Sequence, residues 1–379
     1  MIIQSTRVYY EEQFVPKQIE ITDERITNVY EYGQMPVDKD YGDLKILPGL
    51  NDIHNHGYNR CGTNNATRPW LQEWMSYLVS EGVTGILPSI SSGNPLEVLL
   101  ESLRTVDEFA SGEYEGCRIL GIYSEGPFIG QKPGAQAVKY KLIPTREIID
   151  AFIEASGGRM NYIMIAPEEL NDDYSIIDYI CSKGITVALG HTGATFEMCE
   201  KAREHGARSF THTFNGMSGL NHREPGVAGA ALYFEDMYAE LIGDGVHVNK
   251  VPAKILARAK GKDKLILVTD SVEIKGLPYG KVETRGKVVY ICEDGVGRLE
   301  NGTISGSANR LNRVLRYSIE QSHIDEVTAI NAATINPCRL LGIKDLGLIR
   351  AGYIASIAVF DDEYEPVDVY VQGKKYSLQ

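Results

Sequence analysis

Residues 46–56 read ILPGLNDIHNH, an apolar run that ends in two histidines separated by one residue. Other strand-like apolar runs also end on a histidine or an acidic residue. They are Arg118–Gly126, Thr186–Thr192, Ala207–Phe214 and Lys264–Ser271, which deliver Glu125, His191, His212 and Asp270. In a parallel β/α barrel the C-terminal ends of the strands meet on one face, where active sites are built. The pattern therefore predicts that these four side chains converge with His54 and His56.

Strand-like and helix-like segments alternate through the middle of the chain, which favours a closed barrel over an open doubly wound sheet. The strand segments are Ile46–Asn51, Thr84–Ser89, Ile119–Tyr123, Tyr162–Ala166, Thr186–Leu189, Ala207–His212, Ala239–Gly243 and Leu265–Val268. We expect an α/β fold, a (β/α)8 TIM-like barrel over residues 48–344. Residues 275–304 interrupt the last unit and predict a hairpin excursion on the active-site side. No G-x-G-x-x-G follows the first strand, which argues against a dinucleotide site.

Both ends of the chain contain short segments rich in β-branched and aromatic residues, such as Arg25–Tyr30 and Val367–Val371. Neither end is long enough to bury a core alone. We therefore predict a small β-sandwich domain built from residues 1–47 together with residues 345–379.

Composition and charge exclude several classes of partner. The chain has 379 residues, 43% of them hydrophobic, and a formal net charge of −13 without a basic run. Such a chain is a poor match for a protein that binds nucleic acid or an anionic membrane, although one local arginine can still recognise a small anion. No apolar run approaches the ~18 residues of a membrane span, and no secretory pattern opens the sequence. The six scattered cysteines fit reduced thiols, so we expect a cytoplasmic protein.

The residue types at the strand ends indicate a metal-dependent hydrolase. Strand residues two apart in sequence point to the same side, so His54 and His56 can bind one ion. A carboxylate beside an activated water can accept its proton and return it to a leaving amine, the role expected for Asp270. The fourth strand segment ends in Ala166-Pro167-Glu168 and carries no lysine. Hydrolases that bridge two ions with a carbamylated lysine are therefore poor matches, and Glu125 is the expected carboxylate ligand.

Taken in order, nine short motifs along the chain resemble those of the N-acetylglucosamine-6-phosphate deacetylases of the amidohydrolase superfamily. They are PGLNDIHNHG (48–57), EGPF (125–128), GHTGAT (190–195), THTFNGM (211–217), REPGVAG (223–229), DGVHV (244–248), VTDS (268–271), ISGS (304–307) and NPCRLLG (336–342). The resemblance implies hydrolysis of the acetyl group of N-acetylglucosamine 6-phosphate. It also implies one or two divalent ions, with zinc expected and iron, manganese or cobalt as alternatives.

The resemblance also assigns individual residues. Glu125, His191 and His212 match the main metal site of the family. His54 and His56 match a second site that only some members keep, and Asp270 matches the catalytic aspartate. Positions that hold the sugar phosphate or line the substrate correspond to Ala135, Asn215, Gly216, Arg223, His247, Ile304, Ser305 and Gly306. The resemblance makes a homodimer with a shared site the expected assembly.

Three positions depart from the family pattern. Gln136 stands where many members carry a histidine that helps to polarise the acetyl carbonyl, and glutamine can donate a hydrogen bond but cannot become a cation. Gly216 and Ser305 stand where alanine is common.

The alternatives to this activity are an N-acetylgalactosamine 6-phosphate deacetylase, a deaminase or cyclic amidase on the same barrel, and a sugar-phosphate-binding regulator without activity. A regulator would not need the proton shuttle of Asp270.

Overall fold

The computed structural model describes residues 1–284, 287–302 and 304–378. The strands, in chain order, are β1 Ile2–Tyr10, β2 Gln13–Thr22, β3 Arg25–Glu31, β4 Lys39–Asp40, β5 Lys45–Pro48, β6 Leu50–Asn55, β7 Gly57–Tyr58, β8 Cys61–Gly62, β9 Val83–Ile90, β10 Arg118–Ile119, β11 Ile122–Ser124, β12 Met160–Ile165, β13 Thr186–Leu189, β14 Ser209–Phe210, β15 Tyr238–Leu241, β16 Leu265–Leu267, β17 Gly280–Thr284, β18 Lys287–Ile291, β19 Val296–Arg298, β20 Ile304–Ser307, β21 Ile357–Phe360, β22 Pro366–Val371 and β23 Lys374–Ser377. The α-helices are α1 Arg68–Val79, α2 Leu96–Ser111, α3 Arg146–Ala155, α4 Ser175–Ser182, α5 Phe196–Glu204, α6 Gly226–Tyr233, α7 Lys250–Lys264, α8 Leu311–Glu320, α9 Glu326–Ala333 and α10 Ile335–Leu340.

The central sheet is a parallel barrel, as the alternation of strands and helices predicts. Its strands run in the order β6, β9, β11, β12, β13, β14, β15 and β16, and each pairs in parallel with the next. Side chains that face inward, among them Tyr123, Met164 and Ile266, form a separate buried cluster. Side chains that face outward pack beneath the helices in the largest core of the protein. The (β/α)8 prediction is confirmed.

Among the described residues, the backbone contacts that close the barrel between its first and last strands lie at the C-terminal rim. Asn55 and Ser271 form a parallel bridge. The amide of Asp270 donates to the carbonyl of His54 over 2.9 Å, and the amide of His56 donates to the carbonyl of Ser271 over 2.7 Å. The hydrogen bonds that close the barrel therefore lie at the residues that the sequence analysis singles out.

A second sheet joins the two ends of the chain, as predicted. Its strands follow the order β23, β22, β21, β5, β1, β2 and β3, with β4 paired to β1. Its buried side chains, which include Ile3, Ile19, Ile46, Ile357 and Tyr370, form their own core. The small β domain is confirmed as a separate sheet, while its boundaries at residues 47 and 345 stay a prediction.

The first predicted strand, Ile46–Asn51, is wrong as a single element. Residues Lys45–Pro48 pair with β21 in the small sheet, and Leu50–Asn55 pairs with β9 in the barrel. The chain changes sheet at Gly49, where a Cβ would lie 2.2 Å from Oγ1 of Thr84. Glycine is needed there because the backbone runs directly against the neighbouring strand.

The excursion predicted for residues 275–304 is an antiparallel sheet of β17, β18, β19 and β20. A buried ion pair of 2.9 Å between Lys275 and Glu81 anchors its start, and Oε2 of Glu81 also accepts from the amide of Leu311 at the start of α8. Ser307 bridges to Ser271, so the last strand of the excursion lies beside the residue that follows Asp270.

The described helices include none with the length and apolar character needed to cross a membrane.

Candidate active site

Each of the six side chains named from the strand ends lies at the C-terminal rim of the barrel. His54 is in β6, His56 follows it, and Glu125 directly follows β11. His191, His212 and Asp270 come two or three residues after β13, β14 and β16. All are buried except Asp270, whose side chain is 22% exposed.

The first cluster consists of His54, His56, Glu125 and Asp270, with ligand atoms within 4.8 Å of one another. The Nε2 atoms of the two histidines lie 3.1 Å apart. Each is 3.4 Å from Oδ1 of Asp270. Oε2 of Glu125 lies 3.1 Å from Nε2 of His56.

The second cluster consists of Glu125, His191 and His212. Oε1 of Glu125 lies 2.8 Å from Nε2 of His191 and 2.9 Å from Nε2 of His212. The two ring nitrogens are 3.1 Å apart. Glu125 belongs to both clusters: its Oε2 lies nearest His56, while its Oε1 contacts His191 and His212 and lies 3.5 Å from Nε2 of His54. One carboxylate is therefore shared by all four histidines.

The hydrogen bonds of the Nδ1 atoms, which point away from the clusters, determine the tautomers of the histidines. Nδ1 of His56 lies 2.9 Å from the carbonyl of Ser89, and Nδ1 of His191 lies 3.1 Å from the carbonyl of Lys132. A carbonyl only accepts, so these Nδ1 atoms carry protons, and in their neutral form the two rings present Nε2 lone pairs to the clusters. Converging lone pairs and a carboxylate require a cation between them, and this donor set suits a divalent metal.

Electrostatics at the first cluster lead to the same requirement. Burial alone lowers the pKa of His56, but Glu125 and Asp270 outweigh it and raise that pKa to about 9. Burial raises the pKa of Glu125, yet the neighbouring charges of His191 and His56 hold it well below its ordinary value. The clusters thus attract positive charge strongly, and protons and a metal ion compete for the same nitrogen atoms.

Three of these residues have left-handed backbone. The φ angles are +45° at His191, +30° at His212 and +46° at Asp270. Such conformations cost roughly 1–3 kcal/mol each in a residue other than glycine and gather at functional sites. These turns after the strands accompany the convergence of the three side chains at the clusters.

Gln136 reaches the clusters from the loop after β11. Its Nε2 donates to Oε2 of Glu125 over 2.7 Å, and its Oε1 accepts from the amide of Ser92 over 2.9 Å. A second, longer contact of 3.4 Å joins the same Nε2 to the carbonyl of Glu125. The side-chain amide is therefore engaged with Glu125, and polarising a substrate carbonyl would require it to release one of these contacts.

Gly216 lies against both histidines of the second cluster. Its φ is +57°, and a Cβ would come within 2.9 Å of Nδ1 of His191 and 3.4 Å of Cε1 of His212. The alanine common at this position would press on the ring of His191, so glycine preserves the ring's position here. Asn215 donates from Nδ2 to the carbonyl of His212 over 3.2 Å.

His247 is held by the loop after β15. Its Nδ1 lies 2.6 Å from Oδ2 of Asp244, which also accepts from Nδ2 of Asn309 over 2.9 Å. Burial lowers the pKa of His247, but Asp244 more than compensates, so that pKa lies above its ordinary value. A cationic, oriented imidazole suits an anionic group on a ligand.

The remaining residues expected at the substrate are more exposed to solvent. Ala135 and Arg223 are exposed, Gly306 is half-buried, and Ile304 is 38% exposed. Ser305 lies in β20, but its side chain falls outside the described residues. The structure places Gln136, Asn215 and Gly216 against the clusters, whereas the described contacts do not join Arg223 to them.

The sequence analysis missed one buried acid, Glu240 of β15. Its Oε2 lies 2.8 Å from Nδ1 of His54, and its Oε1 accepts from the hydroxyl of Tyr162 over 2.8 Å. The signal was available, because a glutamate inside the apolar run Tyr238–Ile242 must find a partner if that strand is buried.

Comparison with known proteins identifies the family of the chain. The sequence model of the Amidohydrolase family matches residues 46–376. An N-acetylglucosamine-6-phosphate deacetylase of Bacillus subtilis (strain 168) is 32% identical over 336 residues, 87% of this chain and 84% of that protein. An N-acetylgalactosamine-6-phosphate deacetylase of Shewanella sp. (strain ANA-3) is also 32% identical, over 341 residues, 87% of this chain and 82% of that protein.

A solved structure is similar over nearly the whole chain. It is an N-acetyl-D-glucosamine-6-phosphate deacetylase of Mycobacterium smegmatis, in a form with an aspartate replaced by alanine and in complex with N-acetyl-D-glucosamine-6-phosphate. The TM-score is 0.91 at 26% identity, with 99% of this chain and 98% of that chain covered. With the family match and these relatives, the chain belongs to the amidohydrolase family, within the N-acetylglucosamine-6-phosphate deacetylases.

Proposed function

We propose that the protein hydrolyses N-acetylglucosamine 6-phosphate to glucosamine 6-phosphate and acetate. One observation carries the proposal: the partly exposed carboxylate of Asp270 stands 3.4 Å from both histidine nitrogens of the first cluster, beside Glu125. A proton acceptor at the edge of a cation site is what amide hydrolysis needs. The names of the relatives supply the substrate class.

Glu125, His191 and His212 would hold the main ion, because three protein ligands leave an open position for water or substrate. His54 and His56 would hold a second ion with Asp270 at its edge. Nitrogen-rich sites of this kind suit zinc, and zinc is our proposal for the metal. When bound, a divalent cation supplies a Lewis acid for the acetyl carbonyl and lowers the pKa of water.

Asp270 moves the proton in this scheme. Burial raises the pKa of Asp270, but the effect of His54 and His56 in the opposite direction is larger. The net pKa therefore lies below its ordinary value, and the carboxylate is ionised. Oδ1 of Asp270 can therefore accept a proton from the attacking water. The same atom then delivers the proton to the amine nitrogen as the carbon–nitrogen bond breaks.

The residues around the clusters would bind the sugar phosphate. We assign the sugar phosphate to Asn215, Gly216 and His247 together with Arg223, and the lining of the substrate to Ala135, Ile304, Ser305 and Gly306. Gln136 or His247 would help to stabilise the oxyanion. Arg223 would bind the phosphate. Its loop is exposed, and the ion pairs found among the described residues do not include its guanidinium, so its charge is available to a dianion.

We also propose a homodimer in the cytoplasm, with small amino-sugar phosphates as the ligands. The six cysteines form no disulfide in the described part of the chain, as in proteins of reducing compartments. The exposed loop around Arg223 is a candidate to reach a neighbouring subunit.

A substrate panel tests the function. Acetate release would be measured from N-acetylglucosamine 6-phosphate, N-acetylgalactosamine 6-phosphate and unphosphorylated N-acetylglucosamine, with metal content determined on the same preparation. We expect hydrolysis of the first compound above the others and at least one ion per subunit. A preference for the galactosamine compound would instead favour the alternative that the Shewanella relative represents. Absence of acetate from every compound in metal-loaded protein would refute the proposed reaction.

A further inference from the structure

We propose that Glu240 is a positioning residue that ties the two metal clusters together, fixing the ring of His54 in one and the backbone of His212 in the other. The inference rests on the proposed function in so far as the clusters bind metal. It adds a residue that touches neither the ion nor the substrate.

Glu240 is fully buried in the middle of β15. Its Oε2 lies 2.8 Å from Nδ1 of His54 and accepts from the amide of His212 over 3.0 Å. Its Oε1 accepts from the hydroxyl of Tyr162 over 2.8 Å. Three donors from three strand regions therefore surround one buried carboxylate, which satisfies the condition for burying a charge in a barrel interior.

The contact with His54 selects its tautomer. An ionised carboxylate can only accept, so Nδ1 of His54 carries the proton and Nε2 presents its lone pair toward Glu125 and Asp270. His56 and His191 make the equivalent contact to neutral carbonyls of Ser89 and Lys132. His54 alone among these three donates to a carboxylate, and a carboxylate raises the basicity of a ligand histidine.

The contact with His212 acts on the backbone. His212 has a φ of +30°, which a side chain rarely tolerates. The hydrogen bond from its amide to Glu240 helps to hold that turn, and the turn aims Nε2 of His212 at Glu125. Within the described residues Nδ1 of His212 has no hydrogen-bond partner, so the orientation of this ligand depends more on its backbone than on its ring.

Glu240→Gln removes the negative charge but keeps the hydrogen bonds. The amide oxygen can still accept from His54 and His212, and the hydroxyl of Tyr162 can turn to accept from the new amide nitrogen. Metal-free protein would be titrated with Zn²⁺ by calorimetry. We expect affinity at the His54 cluster to fall about 10- to 100-fold, the usual effect of mutating the hydrogen-bond partner of a ligand histidine. Affinity at the His191 and His212 cluster should fall less.

Two further variants separate positioning from general stability. Glu81→Gln removes a buried acid paired with Lys275 in another part of the barrel, and should lower the unfolding temperature without changing Zn²⁺ affinity. Because His54→Ala empties the first cluster, Glu240→Gln added to it should lower Zn²⁺ affinity only at the His191 and His212 cluster, and by no more than Glu240→Gln does alone. A larger loss at that cluster in the double variant, or a Glu240→Gln titration like that of wild type, would overturn the proposal.

A measurement on the wild-type protein covers the case in which Glu240→Gln does not fold. In protein labelled with ¹⁵N-histidine and loaded with Zn²⁺, the ring of His54 should carry its proton on Nδ1, assigned by its loss in His54→Ala. A proton on Nε2 would refute the role of Glu240. The titration and the spectrum use no substrate, so they stand or fail independently of the deacetylase activity.

Discussion

Nε2 of Gln136 donates a 2.7 Å hydrogen bond to Oε2 of Glu125, the carboxylate shared by both metal clusters. The opposite oxygen of Glu125 faces His191 and His212. A glutamine in this position therefore restrains the rotation of the shared ligand. That role differs from the one expected of the histidine that it replaces.

Gln136→Ala should therefore weaken metal binding as well as catalysis. We expect Zn²⁺ affinity to fall about 10-fold or more, the scale for loss of a hydrogen bond to a ligand, and kcat/KM to fall with it. Calorimetric titration and steady-state kinetics on the same preparation would measure both. Gln131→Ala, on the exposed start of the same loop, serves as the control. If kcat falls while metal affinity holds, Gln136 serves the substrate carbonyl instead.

Asp270→Asn should separate proton transfer from metal binding. Loss of the proton acceptor should lower kcat by at least ~10²-fold, the scale of general acid–base assistance. Metal content, measured by atomic emission, should change little, because Asn keeps one oxygen at the edge of the first cluster. Near-native kcat would exclude Asp270 as the shuttle, and loss of the ion would make it a ligand.

Removing single histidines should rank the two clusters. His191→Ala or His212→Ala should abolish the main ion and nearly all activity, since each leaves Glu125 with one nitrogen partner in that cluster. His54→Ala should empty only the first cluster, which contains His54 and His56, and leave the main ion in place. Metal-to-protein ratios after dialysis against excess Zn²⁺ would report this. The ranking reverses if the His54 variant loses all metal while the His191 variant retains it.

Arg223→Ala should affect only phosphorylated substrate. A charge-assisted hydrogen bond is worth roughly 1.5–3 kcal/mol, so kcat/KM should fall ~10- to ~150-fold. Activity on unphosphorylated N-acetylglucosamine, if measurable, should not change. Arg104→Ala, an exposed arginine on the outer helix α2, provides the comparison. Equal losses on both substrates would mean that Arg223 supports its loop.

Lys260 should give the stability of the fold a measurable pH dependence. Its buried Nζ donates to the carbonyls of Phe234 and Met237, and burial lowers its pKa to about 8. The unfolded chain holds this proton up to a pH of about 10.4. Between those values the unfolded state binds more protons, so this group makes the protein more stable as pH rises.

Lys260→Met removes the amino group that binds this proton. The difference in free energy of unfolding, wild type minus variant, should therefore grow by about 2 kcal/mol from pH 7.5 to pH 10. Urea unfolding at several pH values would measure it. Lys250→Met, at the exposed start of the same helix, is the control for loss of a lysine side chain at the surface. A constant difference for Lys260→Met as well would contradict the lowered pKa.

The barrel and the direction of its ligands could be predicted because they follow from local pattern. Apolar runs that alternate with helical segments define parallel strands, and a residue at the end of such a strand must lie at the active-site rim. This rule alone was enough to predict the positions of His54, Glu125 and His212. The same reasoning predicted that both chain ends share a sheet, since neither can bury a core alone.

What escaped prediction depends on contacts between distant segments. The break at Gly49 is invisible in a continuous apolar run, because only the approach of Thr84 reveals it. The partner of Gln136 depends on how the loop after β11 folds back onto Glu125. Glu240 carries no motif, and its three partners come from strands far apart in the sequence.

The strand exchange at Gly49 also bears on how the chain folds during synthesis. Residues Lys45–Pro48 leave the ribosome early, yet their antiparallel partner Ile357–Phe360 emerges only after the whole barrel has been made. Until then one edge of β5 has open backbone donors and acceptors, which can pair with other chains. A nascent chain that stalls before β21 therefore presents an aggregation-prone edge directly beside the strand that carries His54.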